Sequence, residues 1–151
     1  MPLDPVSSLG ITKLWKKSSK EEQARKGVLI VDDEAAFCAM VAEVIAAVGY
    51  KVWQANSGEA ALRIWARDGG EIGLVLIDLV MPAMDGLTLL SALQRRDPNL
   101  SIVIVSGRLD DDTRWLASES GCRFLAKPFD VSELARLASE LLGPASTAAG
   151  S

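Results

Sequence analysis

The chain has 151 residues, 49% hydrophobic and 24% charged, with 16 basic and 20 acidic side chains and a net charge of −4. That balance fits one folded domain with short extensions and excludes a disordered segment and a strongly basic nucleic-acid or anionic-membrane binder. Histidine is absent, which excludes Ser-His-Asp and Cys-His catalysis, a two-histidine zinc helix and a phosphohistidine on this chain.

Residues 1–26 mix prolines, serines and charges and read as a tail or a short helix on which Ile11, Leu14 and Trp15 share a face. No run of about 18 apolar residues occurs, so no membrane span or export signal is expected, and a cytoplasmic location follows. Cys38 and Cys122 form no CxxC motif and read as reduced, half-buried small hydrophobes.

From residue 27 onward, short β-branched runs alternate with segments of helical period, the pattern of strand-helix units around a parallel sheet. The strands fall at 28–31 (VLIV), 51–54 (KVWQ), 74–77 (LVLI), 102–105 (IVIV) and 123–126 (RFLA). Three are wholly apolar, as strands covered on both faces should be. After the first, Phe37, Met40, Val41, Val44, Ile45 and Val48 follow helical spacing and Gly49 ends the helix. The second helix is expected to start at Asn56 as cap, with Glu59 three residues on and Ala61, Ile64 and Trp65 facing the core. Helices at about 87–96 and 112–120 stop at Asp97-Pro98 and Gly121. The last opens at Asp130, with Glu133 three residues on, and carries Leu134, Leu137, Ala138 and Leu141 as its stripe. Gly143-Pro144 stops it, and 144–151 reads as a flexible tail. The sum is an α/β fold with five strands and five helices.

Ligands of an open parallel sheet gather beyond the carboxyl ends of its strands. Those ends carry Asp32, Asp33 and Glu34 after the first strand, Asp78 on the third, Ser106 and Gly107 on the fourth, and Lys127-Pro128 on the fifth. The second strand ends in Ala55, Asn56 and Ser57, which suits an edge position. Two unit charges about 4 Å apart repel by roughly 4 kcal/mol at an effective dielectric near 20, so three carboxylates need compensation. Lys127 supplies one positive charge. Hard oxygen ligands without histidine or thiolate favour Mg²⁺, or Mn²⁺, for the rest. A divalent cation and an ammonium converging on one carboxylate point to phosphoryl transfer onto Asp78.

The segments VLIVDDE (28–34), LVLIDLVMPAMDG (74–86), IVIVSG (102–107) and FLAKPF (124–129) resemble, in order and on successive strand ends, the receiver domain of two-component response regulators. The resemblance spans 27–143 and implies a stand-alone receiver with a doubly wound, flavodoxin-like sheet of order 2-1-3-4-5. It implies Asp78 as phospho-acceptor, with Asp33 holding the metal directly, Asp32 through water and Val80 by its backbone carbonyl. It also implies a cis Lys127-Pro128 peptide, with Lys127 pairing with the phosphoryl group. Ser106 is then the hydroxyl that closes on the phosphoryl oxygen and Phe124 the aromatic switch. Gly107 would leave the phosphoryl group open to water, with Arg108 and Val80 flanking that path.

The implied partners are a histidine kinase or histidine phosphotransfer protein and a downstream protein target. The eight residues after Gly143 leave no room for a helix-turn-helix, so no direct DNA binding is expected and output runs through protein contact, onward phosphotransfer or a phosphorylation-dependent dimer. The chain is then a signalling domain rather than an enzyme, with at most self-phosphorylation from phosphodonors and autodephosphorylation. Two other classes stay open. A magnesium-dependent aspartyl phosphatase would need a second aspartate where Val80 stands. A phosphorylation-independent adaptor would have no need of Asp33, Asp78 and Lys127.

Overall fold

The computed structural model describes residues 25–79, 86–107 and 111–145. Strands β1 (Gly27–Val31), β2 (Val52–Ala55), β3 (Ile72–Asp78), β4 (Ser101–Ser106) and β5 (Arg123–Ala126) form one sheet in the order β2-β1-β3-β4-β5. Every pairing is parallel. Among the described residues there are five α-helices: α1 (Ala35–Val48), α2 (Gly58–Asp68), α3 (Gly86–Arg96), α4 (Asp111–Ser120) and α5 (Val131–Leu142). The expected doubly wound fold is therefore present, with β2 at an edge. Val80, Arg108 and the segment around Ile11, Leu14 and Trp15 lie outside the described residues.

Alternation along the strands builds two cores, because successive side chains point to opposite faces. Val28, Ile30, Leu74, Leu76, Val103 and Val105 join α1 and α5 on one face. Leu29, Val31, Val75, Ile77, Ile102 and Ile104 join α2 and α3 on the other. With apolar side chains buried on both faces, the central strands present their functional groups only at their ends.

Three local expectations are corrected. On α1 the buried set is Cys38, Val41, Ala42 and Ile45, while Met40 and Val48 are exposed. The sequence AAFCAMVAEVIAAV is apolar nearly all round, so its period alone could not choose the inward face. The cap of α2 is Ser57, whose hydroxyl accepts from the Ala60 backbone N–H at 3.1 Å, whereas the Asn56 side chain donates to the Asp32 carbonyl. Finally, β3 starts at Ile72 and runs through Gly73. A Cβ at Gly73 would stand 2.1 Å from the Arg25 carbonyl oxygen, so this glycine admits a close backbone neighbour instead of ending the strand.

The two ends of the described domain are tied down. Arg25 pairs with Asp97 and donates to the Ile72 carbonyl, and Lys26 donates to the Pro144 carbonyl at 2.7 Å. The Tyr50 hydroxyl donates to the Gly143 carbonyl at 2.6 Å.

Candidate functional site

Asp32 leaves the end of β1 almost fully buried. Its Oδ1 accepts the Glu34 backbone N–H at 2.9 Å and its Oδ2 accepts from Lys127 Nζ at 2.8 Å. The residue capping α1 is Glu34, with no side-chain cap bond, so neither aspartate is spent as the helix cap. Asp33 is exposed. Asp78 ends β3 with its side chain 12% exposed and its Oδ2 3.8 Å from Lys127 Nζ. One carboxylate oxygen each from Asp32, Asp33 and Asp78 can be chosen so that all three lie within 4.8 Å.

Register brings the remaining groups to the same edge. Asp78 pairs with Val105, Ser106 with Ala126, and Phe124 with Ile104. Ser106 is buried, and its carbonyl accepts the Lys127 backbone N–H at 2.9 Å. The Lys127-Pro128 peptide is cis, as expected. Phe124 is half-buried against the second core cluster. The structure thus gathers Asp32, Asp33, Asp78, Ser106 and Lys127 at one edge, with Phe124 two positions down β5 from the Ser106 pairing.

Burial opposes the charge on Lys127, but the hydrogen bond and charge of Asp32, reinforced by Asp78 and Glu34, outweigh it and hold its pKa above the usual 10.5. Behind the site, the Cys38 thiol donates to the Asp32 carbonyl at 3.4 Å. Its burial, with the negative charge of Asp32, pushes its pKa up to about 11. Cys38 is therefore a neutral packing residue at ordinary pH, and more deeply buried than the half-buried residue expected.

One contributor escaped the sequence reading. Phe37, there a core-stripe residue, lies with its ring under Lys127, Nζ being 4.0 Å from the ring centroid. Phe129 meets that ring edge-on, with centroids 5.8 Å apart. The available signal was its place one helical turn after Asp33, at the end of α1 nearest the strand ends.

The donors suit a hard cation. All three are carboxylates, one faces solvent, and an oxygen from each can be chosen so that all lie within 4.8 Å, a spacing that a hard divalent cation bridges directly or through its water ligands. No helix among the described residues is long and apolar enough to cross a membrane.

The family described as response regulator receiver domain matches residues 28–139. The chain is 40% identical over 116 residues to the sensor kinase CckA of Brucella abortus, covering 76% of this chain and 12% of that protein. It is 33% identical over 108 residues to sporulation initiation phosphotransferase F of Bacillus subtilis, covering 71% of this chain and 86% of that one. Among solved structures, it is similar to the CheX-CheY-BeF3-Mg²⁺ complex from Borrelia burgdorferi, with a TM-score of 0.70, 26% identity, and coverage of 76% of this chain and 87% of that one. CckA is a much longer protein, of which this chain matches only a small part. A parallel sheet of order 2-1-3-4-5, an acidic cluster and a lysine at its carboxyl edge, and a family match across most of the chain agree: the protein belongs to the response regulator receiver domains, the signalling modules of two-component phosphorelays.

Proposed function

We propose that this receiver takes a phosphoryl group onto Asp78 from a histidine kinase or histidine phosphotransfer protein, with Mg²⁺, and passes the signal on by protein contact. The observation that carries the proposal is the convergence of Asp32, Asp33 and Asp78 with Lys127 at the carboxyl edge of the sheet. Residues 27–143 form the receiver on this reading, with 1–26 and 144–151 as its extensions, and its place of work is the cytoplasm.

Asp32, Asp33 and Asp78 would hold the cation, joined by the Val80 carbonyl as the family pattern implies. When bound, Mg²⁺ supplies charge neutralisation for the phosphoryl oxygens. An Asp78 carboxylate oxygen attacks phosphorus, an O–P bond forms, and the donor P–N bond breaks with its electron pair returning to the imidazole. Lys127, already 3.8 Å from Asp78 Oδ2, offers its ammonium to the incoming phosphoryl oxygens. Ser106, buried beside it on β4, offers a hydroxyl donor, and Phe124 on β5 carries the switch that reports its movement. A Mg²⁺ ion belongs to the similar CheX-CheY-BeF3 complex, which supports the same metal here.

The test uses a small phosphodonor such as acetyl phosphate with Mg²⁺. Expected is a hydroxylamine-labile acyl phosphate at Asp78, self-phosphorylation in the sense that no partner protein is present. Unchanged labelling of Asp78→Asn would sink the assignment.

A further inference from the structure

Phe37 is half-buried on α1, and three observations set it apart from an ordinary core aromatic. Its ring face meets the Lys127 ammonium at 4.0 Å from the centroid. Its plane is fixed by Phe129, whose ring meets it at 85°. It also lines a small, mostly apolar cavity with Val41, Leu76 and Val105, a cavity that both Asp32 and Asp78 border.

An ammonium has three N–H donors. Asp32 Oδ2 engages one at 2.8 Å, Asp78 Oδ2 lies at 3.8 Å, and the negative face of the ring is a third electron-rich neighbour. A lysine side chain is a flexible stem that loses much rotamer freedom when placed. A fixed aromatic face restricts that stem without taking a hydrogen bond, leaving the donors for oxygen.

We infer that Phe37 is a positioning residue: its ring face holds the Lys127 ammonium between Asp32 and Asp78, so that the cation stands ready when a phosphoryl group reaches Asp78. The inference rests on the acceptor role proposed above. It assigns to α1 a part in the chemistry, beside the Asp32 and Asp33 that precede the helix. A residue that merely fills space would work as well with any ring of the same shape.

The test replaces Phe37 by mono-, di- and trifluorinated phenylalanine, which keep the shape of the ring and progressively weaken its negative face. The labelling rate at saturating acetyl phosphate and Mg²⁺ should fall stepwise with fluorination, by about three- to tenfold in all. The donor concentration at half-maximal rate should not move, and the urea midpoint should fall by no more than the weakened ring–ammonium contact accounts for. Phe37→Tyr, which keeps a π face, should retain the rate. A flat fluorination series overturns the inference.

A second readout needs no phosphorylation. The Lys127 ε-methylene protons should be displaced upfield by the Phe37 ring current in the native protein, and the displacement should vanish in Phe37→Leu. Its absence from the native protein overturns the inference by itself. Labelling that persists in Asp78→Asn instead defeats the acceptor assignment, and the ring-current displacement then decides separately whether Phe37 holds Lys127.

Discussion

The Lys127 ammonium rests on Asp32, 2.8 Å from its Oδ2, and stands 3.8 Å from Asp78 Oδ2. The two partners are separated by 95 residues, so this ion pair ties the end of β1 to the loop after β5 across the whole carboxyl edge. Asp32 is 1% exposed. A buried carboxylate that loses its cation keeps its desolvation penalty without the compensating attraction.

Lys127→Met should therefore destabilise the metal-free protein by about 1–3 kcal/mol. Urea unfolding with and without Mg²⁺ is the measurement, and the loss should shrink in Mg²⁺ because the cation replaces part of the missing charge. An unchanged urea midpoint in chelator would show that the pair contributes nothing to stability.

Asp33 is the exposed member of the acidic cluster. Asp33→Asn relieves like-charge repulsion while burying nothing new, so it should stabilise the metal-free protein by roughly 0.5–1 kcal/mol, a surface-charge magnitude. Mg²⁺ at about 100 times its dissociation constant should stabilise the native protein by about 2.7 kcal/mol, and chelation should reverse it. In Asp33→Asn most of that response should disappear. A full Mg²⁺ response in the variant would remove Asp33 from the metal site.

Gly86 starts α3, and a Cβ there would stand 2.4 Å from the Asp78 carbonyl oxygen and 2.5 Å from Leu79 Cα. Both neighbours are backbone, so no side-chain rotation relieves the contact. Gly86→Ala should cost about 1–3 kcal/mol as an overpacking change and should slow labelling at Asp78 by moving the end of β3. Equilibrium unfolding and the initial labelling rate report the two effects separately; native values of both would show that the backbone yields freely.

Alkaline pH should destabilise the fold in two stages. The Cys38 pKa is raised in the folded state from 9.0 to about 11, so between those values the unfolded chain releases a proton that the native chain keeps. Stability then falls as pH rises through that window. The Lys127 pKa is raised above 10.5, so its contribution is complete below 10.5 and is lost as pH climbs through the folded value. Cys38→Ala should remove the first stage and Lys127→Met the second, in urea unfolding followed from pH 8 to pH 11.5. A profile for Cys38→Ala parallel to that of the native protein would separate the thiol from the alkaline transition.

Much of the architecture can be read along the chain because its causes are local. Runs such as VLIV and IVIV are apolar at every position, which only strands covered on both faces require. Asp130 caps α5 as its spacing with Glu133 suggested, its side chain accepting the Ser132 backbone N–H. The reactive types at successive strand ends, namely Asp32, Asp33, Asp78, Ser106 and Lys127, are likewise visible in order, and parallel strands must deliver them to one edge.

What could be read from the sequence alone is thus the strand-helix alternation, the chemical types at the strand ends and, through the missing histidine, the exclusion of a phosphohistidine on this chain. Tertiary structure decided the rest. An apolar helix such as α1 has no inward face until it meets the sheet, so only packing could choose Cys38 for the core and leave Phe37 free to meet Lys127. The need for glycine at Gly73 and Gly86 comes from backbone brought close by the fold. The resting place of Lys127, on Asp32 and against an aromatic face, depends on strand order and register. Those long-range pairings are set by the balance of burial and charge over the whole domain, and no single segment of the chain contains them.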